Sequence, residues 1–323
     1  MSRSRWSGMA AVVALGLTVL VSPWSASGQG GESVGMITEI KVGKGKVEVK
    51  PASGGDWRAA GPFLTLRAGD TVRATENATA VILLAGGRGT VKVDAASSPQ
   101  VLAAPSGGAG KMEKARTLVE GGLGFLAAGP KEPPKASLSV RAGTKPPVIL
   151  SPHNSPVLPG PVAIEWLGGK FSRYTVKVLA PSGVLLERQV VGARFEYPSD
   201  APALTPGTRY TVHVMSGNHP PQQSQFEVVE PGRAQAVRQA LKDLEETLGP
   251  GVSPSTLAVL GAGVLAGEGL FHDARLTVLA ALAKDADEPA LHMLLGNLYL
   301  KAGLADQAAS SFDEADFLLT KAN

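Results

Sequence analysis

The chain has 323 residues, a formal net charge of +3 and no cysteine. That length allows two or three domains with cores of their own. The near balance of charge excludes the electrostatic footprint of a nucleic-acid binder, and the missing thiols exclude disulfides, thiolate metal centres and thiol catalysis. With 39 glycines, 24 prolines and only 18% charged residues, the composition favours short strands, turns and linkers over a compact α/β enzyme.

At the N-terminus, Arg3 and Arg5 precede an apolar run from Met9 to Val21, and Pro23 and the small residues Ser25, Ala26, Ser27 and Gly28 follow. These three parts mark residues 1–28 as a secretory signal peptide, with cleavage expected between Gly28 and Gln29. The run is shorter than the roughly 20 apolar residues of a spanning helix, so no stable membrane span is expected after cleavage; a retained anchor is the alternative. Export without disulfides points to a bacterial periplasm.

From Gly35 to Val93 apolar residues alternate between glycine turns. Ile40 and Val42 face one way and Glu39 and Lys41 the other, which predicts a small β unit with one buried face. Gly43-Lys44-Gly45 and Gly69-Asp70 are turns, the glycine supplying positive φ and Asp70 bonding nearby backbone. Trp57 is expected in the core. Residues 94–114, rich in Ala, Ser, Gly and Pro, read as a surface loop; strand character resumes over Leu118–Phe125 and Leu138–Val140. The order of these features, through Gly35, Val47, Trp57, Leu66, Gly69-Asp70, Val72, Thr75, Ile82 and Gly86, resembles a FecR domain. The resemblance implies a β module over residues 31–143.

Pro146-Pro147 opens a second β stretch, with strands expected at Val162–Trp166, Tyr174–Val178 and Val184–Val191. Leu204-Thr-Pro-Gly-Thr-Arg-Tyr210-Thr-Val-His-Val214 is similar to the tyrosine corner of fibronectin type III and immunoglobulin-like sandwiches. Over residues 145–229 that resemblance implies a two-sheet sandwich, the Tyr210 hydroxyl bonding back to the turn and Val212 and Val214 flanking the core.

Beyond Pro231-Gly232 the period becomes helical. Ala234–Leu248 carries apolar residues at helical spacing and stops at Gly249-Pro250. Gly269 and Gly303, Leu270 and Leu304, Ala274 and Ala308, and Ala281 and Ala315 are each 34 apart. This period resembles tetratricopeptide repeats over residues 232–323. The alanines let helices approach, Tyr299 and Phe312 fill the space between them, and Gly261 and Gly263 imply a close helix contact. Two repeats leave part of their surface uncovered, to be closed by the preceding helix, a second copy or a partner. By placement in the family, Met293, Asn297, Leu300 and Lys301 would line a partner groove.

No catalytic or metal-binding pattern emerges. None of His153, His213, His219, His272 and His292 has a metal-ligand spacing or a nucleophile beside it in sequence. His292 reads as a packed histidine, and Asp273 as an acid at the positive end of a helix dipole. Asp306, Asp313, Glu314 and Asp316 read as a solvated helix face. Pro105–Lys111 lacks the leading glycine and the Ser or Thr of a phosphate loop.

The expected architecture is therefore a multidomain β plus α chain: a FecR-like β module, an immunoglobulin-like sandwich and a helical repeat array. The expected function is an exported envelope scaffold that assembles protein partners without a cofactor or an enzyme activity. The alternatives are a periplasmic sensor or regulatory module of a signal relay, and a polysaccharide- or peptidoglycan-associated protein.

Overall fold

Turn residues and period-2 alternation organise the first stretch into two sheets. A computed structural model describes residues 33–85, 89–103, 125, 146–217 and 219–321. The expected signal peptide at residues 1–28, Gly86, Pro105–Lys111, residues 118–124 of the expected strand and Leu138–Val140 lie outside the described residues. The chain divides into two units, Met1–Gly31 and Glu32–Asn323, and every described residue belongs to the second.

Eight strands build the first region: β1 (Ser33–Lys41), β2 (Val47–Lys50), β3 (Arg58–Ala59), β4 (Thr65–Arg67), β5 (Thr71–Ala74), β6 (Thr79–Leu84), β7 (Thr90–Val93) and β8 (Gln100–Val101). They form two four-stranded antiparallel sheets, ordered β4-β1-β6-β7 and β3-β2-β5-β8. Ile37, Ile40, Leu66, Val72 and Ile82 meet between them. Both expected turns form. Gly43 has φ +57°, and Asp70 accepts the Ala52 and Arg67 N–H groups at 2.9 and 2.8 Å.

Four expectations for this region change. β1 is buried on both faces from Val34 to Ile40, because helices cover the face assigned to solvent. Trp57 is half-buried outside the core, with the Arg73 guanidinium 4.0 Å over its ring. Gln100–Val101 is a strand inside the expected loop, paired to β5. Phe125, the described residue of the expected strand at Leu118–Phe125, is helical rather than extended, and its ring meets Phe271 at 6.3 Å.

The second region is a sandwich of β9 (Val148–Ser151), β10 (Ser155–Val157), β11 (Ala163–Leu167), β12 (Arg173–Ala180), β13 (Gly183–Val191), β14 (Arg194–Glu196), β15 (Arg209–Met215) and β16 (Gln222–Val228). A five-stranded sheet, β10-β16-β15-β12-β13, faces a three-stranded one, β14-β11-β9. All pairings are antiparallel except β10 with β16. Trp166, Tyr174, Tyr210 and Phe226 fill the core, with Trp166 and Tyr174 edge to face at 5.2 Å. The Tyr210 hydroxyl accepts the Thr205 N–H at 2.7 Å, the bond that the resemblance to a tyrosine corner implied, and Val212 and Val214 are fully buried.

Five helices follow among the described residues: α1 (Pro231–Leu248), α2 (Pro254–Gly267), α3 (Phe271–Leu282), α4 (Pro289–Lys301) and α5 (Ala305–Thr320). Pro occupies the first turn of α1, α2 and α4, where its missing N–H has no helical partner to lose. The 34-residue repeat is a repeat of backbone conformation. Gly269 and Gly303 have φ +77° and +78°. At the first, Leu270 N–H reaches Leu265 C=O at 2.8 Å and Gly269 N–H reaches Ala266 C=O at 2.9 Å. Leu304 and Gly303 repeat those bonds to Tyr299 and Leu300 at 2.8 and 2.9 Å, so both hairpins turn through a Schellman motif.

The approach at Gly261 is looser than expected. A Cβ on Gly261 would meet Leu241 at 3.7 Å, an ordinary distance, whereas one on Gly296 would lie 2.5 Å from the Phe312 ring. Hairpin α4–α5 is closed by that ring against bare backbone.

The three stretches share one core. Met36 and Phe63 from the first, Val148, Leu150, Leu158 and Val229 from the second, and Leu291, Leu294 and Leu298 from the helices belong to a single apolar cluster. α2 and α4 pack on β1, and α3 packs on β10. The helices are covered by the preceding helix, whose Leu244 and Leu248 meet Leu260 and Val264, and by the chain's own β regions.

Candidate functional site

Two polar junctions hold the helices to the β regions, and they contain the most perturbed titratable groups among the described residues. At the first, β4 pairs only with the start of β1, up to Met36, and β1 shifts register against β6 between Ile37 and Glu39. The far end of β1 thus keeps a free edge beside the N-termini of α2 and α4. Ser253 caps α2, its hydroxyl accepting the Thr256 N–H at 3.0 Å. The Glu39 carboxylate joins that cap: it accepts the same N–H at 2.8 Å together with the hydroxyls of Ser253 and Thr256. Thr38 and Thr256 share a hydroxyl hydrogen bond at 3.0 Å. The positive end of the α2 dipole offsets the charge brought to it.

Glu288 does the equivalent for α4 from the other side. Its Oε1 accepts the Ile40 N–H at 3.0 Å and the Ala290 N–H at 3.3 Å, while Oε2 is buried with no partner among the described residues. Glu288 is 0% exposed. Burial pushes its carboxyl up to about 8, and the nearby carboxylates of Glu39 and Asp285 add to the rise. Outside it, Lys41 bridges to Asp285 at 2.8 Å, and that hydrogen bond raises the Lys41 ammonium pKa. A cleft of about 550 Å³ opens here, lined by Glu39, Lys41, Ser255, Thr277, Lys284 and Asp285. Both signs of charge rim it, so it suits a dipolar group better than a simple ion.

The second junction joins α3 to the sandwich. The His272 Nδ1 and Ser151 hydroxyl lie 2.6 Å apart, and the His272 N–H donates to Ser155 at 3.3 Å. Asp273 accepts the Leu158 N–H at 3.0 Å. Arg275 pairs with Glu165 at 2.7 Å and donates to the Tyr299 hydroxyl at 3.2 Å; Glu165 also holds Arg194. Burial, then the Arg275 charge, lowers the His272 imidazole to about 4, and burial raises the Asp273 carboxyl to about 6. Ser151 with His272 is formally a nucleophile and a neutral base. Both are buried, however, beside a cavity of about 10 Å³, room for one water-sized molecule. The pair fastens a helix to a sheet.

The four residues expected to line a groove all lie on α4. Met293 and Leu300 are half-buried against the shared core, Asn297 is 5% exposed with its Oδ1 unpartnered among the described residues, and Lys301 is exposed. Of the four, only Lys301 faces open solvent. His292 is half-buried, its ring bonded to the Ala286 carbonyl at 2.8 Å, so it fixes a turn rather than filling the core. Asp306, Asp313, Glu314 and Asp316 are exposed.

Glu39, Glu288, Glu165, His272 and Arg275 were not legible as partners in the sequence. Alternation put Glu39 on the solvent face, and the others meet residues more than a hundred positions away. The readable signals were Ser253-Pro254 and Glu288-Pro289, a capping residue before a first-turn proline. Among the described residues, no group of three or more His, Asp or Glu side chains could hold a metal ion, and no helix is long and apolar enough to cross a membrane.

No protein-family model matches this chain, and no curated protein matches it. A solved structure, a β-1,2-glucanase from Parabacteroides distasonis, overlaps 89% of it at 8% identity with a TM-score of 0.22. The chain spans about half (49%) of that protein's length, and a likeness this low carries no argument about fold or activity.

Proposed function

We propose that the chain is an exported bacterial envelope scaffold, built from a FecR-like β module, an immunoglobulin-like sandwich and a short tetratricopeptide-like array, that assembles protein partners in the periplasm. The supporting observation is the single apolar cluster shared by all three stretches. Surfaces contributed by separate modules then keep fixed distances from one another, as a scaffold requires, while buried polar side chains are used to join the parts.

The sensor reading uses the same body with a transducer as partner. The glycan reading depends on Trp57, and the Arg73 guanidinium covers a ring face that a sugar would stack on.

Photo-crosslinking in envelope fractions tests the proposal, with a crosslinkable residue at Lys301 and a second at Lys50. Both positions are exposed and outside the shared core. One defined protein captured from the periplasmic side supports the scaffold. Retention of the chain in the cytosol, or specific elution from cell-wall sugar with no protein adduct, contradicts it.

A further inference from the structure

One end of the sandwich presents apolar side chains that its core does not use. β11 ends at Leu167 and β12 begins at Arg173; between them runs Gly168-Gly169-Lys170-Phe171-Ser172. The Ser172 N–H bonds the Gly169 carbonyl at 3.1 Å, which puts Lys170 and Phe171 at the corner of a turn. The turn is held from beneath, since the hydroxyl of buried Tyr174 accepts the Gly169 N–H at 2.8 Å. It is held from the side as well: Gly192 N–H donates to Ser172 C=O and Trp166 N–H to Ala193 C=O, each at 3.1 Å, which brings Val191 alongside.

On this braced tip Phe171 is 91% exposed, Val191 62% and Leu167 42%. The other large exposed apolar residues, Leu64, Val101, Val184 and Phe317, lie outside these two turns. Lys170 and Arg173 flank Phe171; both are exposed, neither forms an ion pair among the described residues, and no acid stands between Leu167 and Arg173. Glu165 and Glu196, the acids closest in the adjoining strands, are neutralised by Arg194 and Arg275.

We propose that this tip docks on an anionic lipid bilayer, Phe171 entering the interface with Val191 beside it while Lys170 and Arg173 meet lipid phosphates. The charge argues for lipid over a protein hydrophobe: two unpaired cations around an apolar corner match a surface that is negative outside and apolar within. A rigid turn loses little freedom on docking, so a small apolar area suffices for reversible attachment. The inference rests on the tip alone and goes beyond the scaffold reading.

The test is co-sedimentation of the chain from Glu32 to Asn323, a compact unit with its own cores, so that the apolar run before it contributes nothing. Phosphatidylglycerol vesicles should pellet it, pure phosphatidylcholine vesicles should not, and about 0.5 M salt should release most of it. Phe171→Ser should weaken partitioning roughly tenfold or more, as loss of a buried aromatic implies. Lys170→Glu with Arg173→Glu should abolish it. Phe171→Trp should show blue-shifted emission only with the anionic vesicles. Failure of both vesicle types to pellet the chain, equal pelleting by both, or unchanged pelleting of Phe171→Ser each overturns the proposal. A protein adduct lost on Phe171→Ser without any vesicle binding replaces it with a protein partner.

Discussion

The Glu39 carboxylate accepts the Thr256 N–H at 2.8 Å although 217 residues separate them, and with Ser253 it caps a helix from a strand of another region. Glu39→Ala leaves the Thr256 N–H with the Ser253 cap alone and removes the carboxylate acceptor of the Ser253 and Thr256 hydroxyls. The expected loss is about 1–3 kcal/mol in urea unfolding. A change below a few tenths would mean that the cap is redundant.

The pH dependence between 6.5 and 8 should come from Glu288. Its folded-state value, about 8, lies above the ordinary 4.5, so folding takes up a proton. That contribution is complete below 4.5 and is lost as pH rises through about 8. Asp273 behaves alike but loses its contribution by about 6. His272 runs the opposite way: its stabilisation is present above 6.5 and lost as pH falls through about 4. Thermal melts of the wild type should therefore decline from pH 6.5 to 8.5. Glu288→Gln should flatten that decline, and parallel curves for the two proteins would contradict the assignment.

These junctions divide what the sequence disclosed from what it hid. Turns at Gly43 and Gly69, the Tyr210 bond, the end of α1 at Gly249 and the repeat were readable because each depends on residues close together or at a fixed period. Glu39 was misread because alternation assumes that one face of a strand meets water, and here α2 and α4 take that face. The docking of α3 through His272 and Arg275 depends on residues 110 to 121 positions apart, a separation with no local signature.

At Gly296 the prediction is steric. A methyl group there would lie 2.5 Å from the Phe312 ring, which cannot withdraw from the interior of the α4–α5 hairpin. Gly296→Ala should cost about 1–3 kcal/mol despite its gain in helix propensity. Pairing it with Phe312→Leu should recover part of that loss, and additive losses would show that the ring is not the obstacle.

The Tyr210 hydroxyl serves as an acceptor for the Thr205 N–H inside the sandwich corner. Tyr210→Phe retains the packing and removes only that acceptor, so the expected cost is about 1–2 kcal/mol. Hydrogen exchange at Thr205 should accelerate in the variant, and unchanged protection there would assign the bond no role.

The most direct measurement is urea unfolding of the chain from Glu32 to Asn323 followed by two probes at once. Its tryptophans, Trp57 and Trp166, lie in the two β regions, while helical circular dichroism is dominated by α1 to α5. One body with a shared core predicts superimposable transitions at a single midpoint. Helical signal lost at a lower urea concentration than tryptophan signal would mean that the helices are an appendage rather than part of that body.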